Sequence, residues 1–356
     1  MALATSGCSI VGPSAVKHDG VKYNEAMRYS ADQQLLLNIV RMRYRDNAAY
    51  LEVVSLSTSY TLAVGASTEA EILKKPTPSS ARQLNFIKPK LEGVYEERPT
   101  ITYAPLTGEK FVRKIMTPIN PGTLLLLYHS GWSIERLLRC VVYRMNDLYN
   151  APQVNAPSPD YIPPFEKFVQ VTKIMRILQM QNKILLVGRK DGKSHQVLLR
   201  IDESANEDTR VMEMRRMLKL RPDMLEYPLV TDIRFDERTD VILVGMRSLA
   251  NILSYLSHGI EVPKEDLDAG VVSIAHEADG SRFNWLKLTR GIFAVRSGSW
   301  GWGEAAIAVK YRGATFYIED SDLTSKSTFM LLTQIANLQS GDVKTVAPVL
   351  TIPVSR

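Results

Sequence analysis

The stretch Phe165–Ile201, FEKFVQVTKIMRILQMQNKILLVGRKDGKSHQVLLRI, decides the fold class. Its first part reads as a helix from Phe165 to about Gln181. Two arms then follow, Ile184 to Val187 and Val197 to Ile201, flanking Arg189-Lys190-Asp191-Gly192-Lys193, and Asp-Gly is a hairpin-turn pair. A helix that leads into a hairpin, with no crossover to a parallel strand, belongs to an α+β chain.

Upstream lies Asn150 to Pro164, with prolines at 152, 157, 159, 163 and 164. Proline removes the backbone donor and fixes φ, so no regular element is expected there and a domain boundary is. Before it, Pro121 to Asn146 reads as a helix pair. Leu124, Leu125 and Leu127 give the first an apolar face, Ser130-Gly131-Trp132 breaks it, and Ser133 caps the second. Ile134, Leu137, Leu138, Val141, Val142 and Met145 form that helix's stripe, and Cys140 within it reads as a small buried hydrophobe. Glu109 to Met116 reads as a short helix, Val53 to Val64 and Arg98 to Tyr103 as strands, and Ser67 to Pro89 as a long loop. Asn24 to about Arg45 is helical, with Met27, Ala31, Leu35, Ile39 and Met42 at three- and four-residue steps; Arg41, Arg43 and Arg45 crowd its carbonyl end.

Downstream, Glu207 to Leu220 and Arg247 to His258 read as helices and Val241 to Val244 as a strand. Strands are expected at Trp285 to Leu288, Ile292 to Arg296, Ala305 to Tyr311 and Thr315 to Ile318, before a closing helix from Asp322 to Leu338. The whole predicts two mixed α/β modules, mostly antiparallel strands with flanking helices. The expected division is a tether over 1–20, an N-terminal domain over 21–150, a proline-rich linker over 151–164 and a C-terminal domain over 165–356.

The 356 residues are 45% hydrophobic and 23% charged, which excludes a disordered chain, and a net charge of +6 falls short of a dedicated nucleic-acid coat. No stretch reaches the 18 or so apolar residues of a membrane span. The two cysteines are Cys8 and Cys140. Leu3-Ala4-Thr5-Ser6-Gly7-Cys8-Ser9 reads as the end of a bacterial lipoprotein signal, in which small residues precede a cysteine that becomes lipidated, with Thr5 where Leu or Val is usual. The charged and apolar regions of such a signal do not precede it, so the start reads as shortened. Ser9 to Gly20 then suits a flexible tether.

Candidate chemistry is sparse. The five histidines share no metal-ligand spacing, and neither a metal nor a cofactor is expected. Gly188 to Lys193 has one residue too few for a phosphate loop, and Gly298-Ser299-Trp300-Gly301-Trp302-Gly303 departs from the dinucleotide fingerprint. Trp300 and Trp302 instead read as a partner-docking loop tip. Glu319, Asp320 and Asp322, with His276, are the only candidates for acid–base work on an envelope glycan, and a helix start, which collects carboxylates for capping and dipole reasons, is the better account of the first three. Leu124 to Arg144 has a helix-turn-helix outline with Arg136, Arg139 and Arg144 on its second helix, the basis of a DNA-binding alternative.

Taken in order, Cys8, Tyr23-Asn24, Gln34 to Asp46, Glu97 to Tyr103, Ser130 to Ser133, Tyr311 to Asp320 and Ser325 to Phe329 resemble a family of uncharacterised bacterial proteins commonly predicted to be envelope lipoproteins. The resemblance implies a Gram-negative-type envelope and brings no activity or catalytic residues. The expectation is therefore a non-enzymatic, lipid-anchored scaffold or assembly component on the periplasmic side of the outer membrane, held through Cys8. Its partners would be other envelope proteins, with a second copy of the chain left open and no nucleic acid.

Overall fold

The computed structural model describes residues 11–69, 88–105, 108–152, 161–191, 194–231, 238–298 and 305–340. In chain order the elements are α1 (Val11–Arg43), β1 (Leu51–Glu69), β2 (Lys88–Pro105), α2 (Glu109–Met116), α3 (Pro121–His129), α4 (Ile134–Val141), β3 (Val142–Met145), β4 (Leu148–Tyr149) and α5 (Glu166–Met180). There follow β5 (Ile184–Asp191), β6 (Ser194–Ile201), α6 (Thr209–Met217), β7 (Glu226–Val230), β8 (Ile242–Met246), α7 (Leu249–Ser257), α8 (Lys264–Asp268), α9 (Leu286–Thr289), β9 (Arg296–Gly298), β10 (Ala305–Tyr311), β11 (Ala314–Glu319) and α10 (Leu323–Ser340). The architecture is α+β.

The chain forms two compact units, Met1–Ala49 with Thr107–Asp342, and Tyr50–Leu106 with Val343–Arg356. In the smaller unit β1 and β2 pair antiparallel from Leu51 opposite Pro105 to Glu69 opposite Lys88, with a register shift between Val53 and Ser55. The larger unit holds a six-stranded sheet in the order β4-β3-β8-β7-β6-β5 and a three-stranded one in the order β10-β11-β9. Among the described strands of these two sheets every pairing is antiparallel except β7 with β8.

This topology corrects the expected domain boundary. β3 precedes the proline-rich 151–164 stretch and β8 follows it, yet they are neighbours in one sheet. Local proline content ends an element, but only strand pairing decides whether two bodies result. The expected tether over 1–20 is corrected for residues 11–20, which are helical in α1. Gly12 and Pro13 stand in its first turn, where proline's missing N–H has no intrahelical partner to lose.

Side-chain caps hold the starts of α3 and α4, the second as expected, whereas Asn24, where the first helix was expected to start, lies inside α1. Asn120 accepts from Gly122 N at 2.7 Å ahead of Pro121, and Ser133 accepts from Arg136 N at the start of α4. The apolar stripe of α4 runs on through Val142 and Met145, both buried, but these lie in β3, because pairing with β8 captures the β-branched end of the run. Trp285 to Leu288 is also corrected: a helical turn, α9, stands where a strand was expected. In α1 the buried face is Leu36, Ile39, Val40 and Arg43, rotated from the expected stripe, which shares only Ile39 with it.

Candidate functional site

Four arginines are buried among the described residues: Arg43, Arg139, Arg215 and Arg247. A buried guanidinium is costly unless its five N–H donors find acceptors, so the partners of each define its role. Arg247, just after β8, donates from one terminal nitrogen to the carbonyls of Arg139 (2.9 Å), Cys140 (3.3 Å) and Val142 (3.1 Å), and from the other to that of Asn150. It thereby ties off the carbonyl end of α4, where a cation also meets the negative end of the helix dipole. Its guanidinium carbon sits 4.0 Å from the centroid of the Tyr255 ring. Arg139 pairs with Glu135 at 3.2 Å and donates to the carbonyls of Leu288 and Arg290. Arg215 donates to Tyr227 Oη, to the Asn206 carbonyl and side chain, and to the Met224 carbonyl. These three hold the fold together.

Arg43 differs. Only 5% exposed, it makes one hydrogen bond, at 3.5 Å, to the Ser273 carbonyl, and its Nε, like that of Arg139, is buried with no partner. No carboxylate of the described residues pairs with it. Desolvation pulls its pKa down from the ordinary guanidinium range to about 10. It lines a cavity of about 260 Å³ whose apolar walls include Ile260, Val262, Leu267, Phe283 and Trp285. The neighbouring Tyr44 hydroxyl donates to Asp266 at 2.6 Å and so pins the end of α1 to α8. Trp285 packs on His258 with centroids 4.5 Å apart and meets the edge of Phe283 at 5.1 Å, making the wall a rigid aromatic surface. The other charges on the cavity are engaged: Arg282 pairs with Asp268 at 3.0 Å, and Glu261 lies 3.8 Å from Arg296.

Residues singled out from the sequence fall elsewhere. Cys8, Trp300 and Trp302 lie outside the described residues. Cys140 is buried, and desolvation drives its thiol up to about 11, as befits a packing residue. The suspected acid–base carboxylates have structural duties. Asp322 accepts from Ser325 N and Oγ at the start of α10, Asp320 pairs with Lys326 at 2.5 Å, and Glu319 lies 3.8 Å from Arg296. His276 is exposed in a loop. In the helix-turn-helix outline, Arg139 turns inward and Arg144 packs over Tyr149 at 4.9 Å, so neither projects from α4 as a phosphate contact would. Among the described residues no group of three or more His, Cys, Asp or Glu side chains is placed to hold a metal ion.

Arg43 was visible in the sequence only as one of three arginines at a helix end. The spacing 36, 39, 40, 43 was the available signal, since it puts that arginine on the same face as three buried aliphatics. No family model, no curated protein and no solved structure matches the chain.

Proposed function

We propose that the chain is a lipid-anchored, non-catalytic scaffold or assembly component on the periplasmic side of a bacterial outer membrane. The observation that carries the reading is the run Ala4-Thr5-Ser6-Gly7-Cys8-Ser9, a lipidation context, followed three residues after the cysteine by the start of the 33-residue helix α1. At 1.5 Å per residue that helix is about 50 Å long. No residue of it between 20 and 35 is buried, whereas Leu36, Ile39, Val40 and Arg43 are. An anchored Cys8 and a body that buries Leu36, Ile39, Val40 and Arg43 at the far end of α1 would make the helix a spacer between membrane surface and folded domain. Acyl chains contribute about 0.8 kcal/mol per buried methylene, which makes a multiply acylated cysteine a firm attachment. No described helix is long and apolar enough to cross a membrane. Docking of envelope proteins is assigned to the Trp300–Trp302 loop, on the sequence argument that exposed tryptophans suit partner contact.

The test is expression from the native chromosomal locus beside Cys8→Ala, with separation of soluble, inner-membrane and outer-membrane fractions and the mass of the N-terminal peptide. An acylated Cys8 in the outer membrane, released to the soluble fraction by the substitution, is the expected result. An unmodified soluble protein in both strains refutes the anchor. Crosslinked partners lost on combining Trp300→Ala with Trp302→Ala would place the docking loop; unchanged recovery would remove it.

A further inference from the structure

We propose that the cavity beneath Arg43 binds a small organic monocarboxylate with an apolar body. The inference is independent of the lipid anchor. Its basis is the contrast among the four buried arginines. Arg139 makes three hydrogen bonds or ion pairs and Arg215 and Arg247 four each, whereas Arg43 makes a single long one and faces a cavity. A desolvated cation without a counter-ion is a standing cost, and an anion in the cavity is the arrangement that removes it. A carboxylate matches the planar guanidinium fork.

The rest of the ligand follows from the walls. Ile260, Val262, Leu267, Phe283 and Trp285 offer apolar surface and no free charge, so the body of the ligand is aliphatic or aromatic. An apolar cavity of about 150 Å³ takes a benzene molecule, so the 260 Å³ here has room for one ring, or a chain of similar bulk, with its carboxylate. A phosphate dianion is disfavoured. One arginine would neutralise half its charge, and the second, Arg282, is held by Asp268.

The test is calorimetric titration of the full chain with benzoate, hexanoate and 4-methylpentanoate, each against the corresponding alcohol, and with inorganic phosphate. At least one carboxylate is expected to bind and to raise the unfolding temperature, its alcohol at least about tenfold more weakly because the charge-assisted pair is lost. Arg43→Met should lose that carboxylate by at least tenfold, and Arg282→Gln should keep it within about twofold. Binding of the alcohol as tightly as the acid, tighter binding of phosphate, undiminished binding to Arg43→Met, or no binding of any carboxylate would each overturn the proposal. Should Arg43→Met fail to fold, the comparison of acid with alcohol on the unsubstituted chain decides.

Discussion

Replacing Arg247 by Met is expected to destabilise the chain by about 3 kcal/mol, and the figure comes from counting acceptors. Four carbonyls lose a donor, but two keep one: the Asn150 side-chain amide also donates to the carbonyls of Arg139 (2.9 Å) and Val142 (2.7 Å). The carbonyls of Cys140 and Asn150 lose their guanidinium donor without such a substitute. Two buried acceptors left unpaired cost about 1–3 kcal/mol each, and the loss of the cation over Tyr255 adds up to about 2. Against this, Met no longer buries a charge, a relief of several kcal/mol that brings the net to about half the gross cost. That relief is real, since burial holds the Arg247 pKa down at about 10. The assay is urea unfolding at neutral pH followed by circular dichroism, on Arg247→Met, Asn150→Ala and the double variant. Because both side chains serve the same carbonyls, the two changes should couple by more than about 1 kcal/mol. An Arg247→Met chain as stable as the parent, or additivity within about 0.5 kcal/mol, would refute the shared-carbonyl argument.

Arg43→Met should behave in the opposite way, leaving ligand-free stability unchanged or raising it by about 1 kcal/mol, because it removes a buried cation with one weak bond; a loss above about 2 kcal/mol in urea unfolding would show that contacts hold the residue. Gly245→Ala, in β8, should cost about 2 kcal/mol, since a Cβ there would lie 2.4 Å from the Tyr143 ring, and Tyr143→Ala should recover part of the loss; an unchanged unfolding midpoint would contradict the close approach. In a Cys8→Ala background the Cys140 thiol, pushed up to about 11, should react with an aromatic disulfide at pH 8 only as fast as the chain opens, and rapid labelling of the native protein would show it accessible. Asp208 caps α6 through Arg210 N at 2.7 Å and pairs with Lys183 at 2.6 Å, which holds its carboxyl below the usual carboxylate range. A depressed folded pKa means stability present above the unfolded value and lost as pH falls through the folded one. Asp208→Ala should therefore cost about 1 kcal/mol at pH 7 and progressively less as the carboxyl protonates below about pH 4, and a pH-independent difference would refute the pairing.

The elements legible in the sequence are those whose causes are local. α2 has the expected bounds, and α3, α5, β10 and the two strands β5 and β6 lie within a few residues of them, because apolar periodicity is a property of neighbouring residues and, at α3, Pro121 and the Asn120 cap act within one turn. β7 was not foreseen. Its five residues contain Pro228, and its strand character comes from standing between β6 and β8. The candidate site divides the same way: an arginine on the buried face of α1 is a matter of spacing, and its lack of partners is not.

By itself, then, the sequence determined the α+β class and the starts of α2, α3 and α4, since capping, proline geometry and apolar periodicity are properties of neighbouring residues. Only the tertiary structure decided that the chain pairs β3 with β8 across the proline-rich stretch. It alone also decided which face of α1 is buried and that Arg43, unlike Arg247, ends against a cavity instead of a row of carbonyls. Those outcomes depend on segments up to about 230 residues apart in sequence, such as Arg43 and Ser273, meeting in space, and hydrogen-bond satisfaction of a buried cation is settled only where they meet.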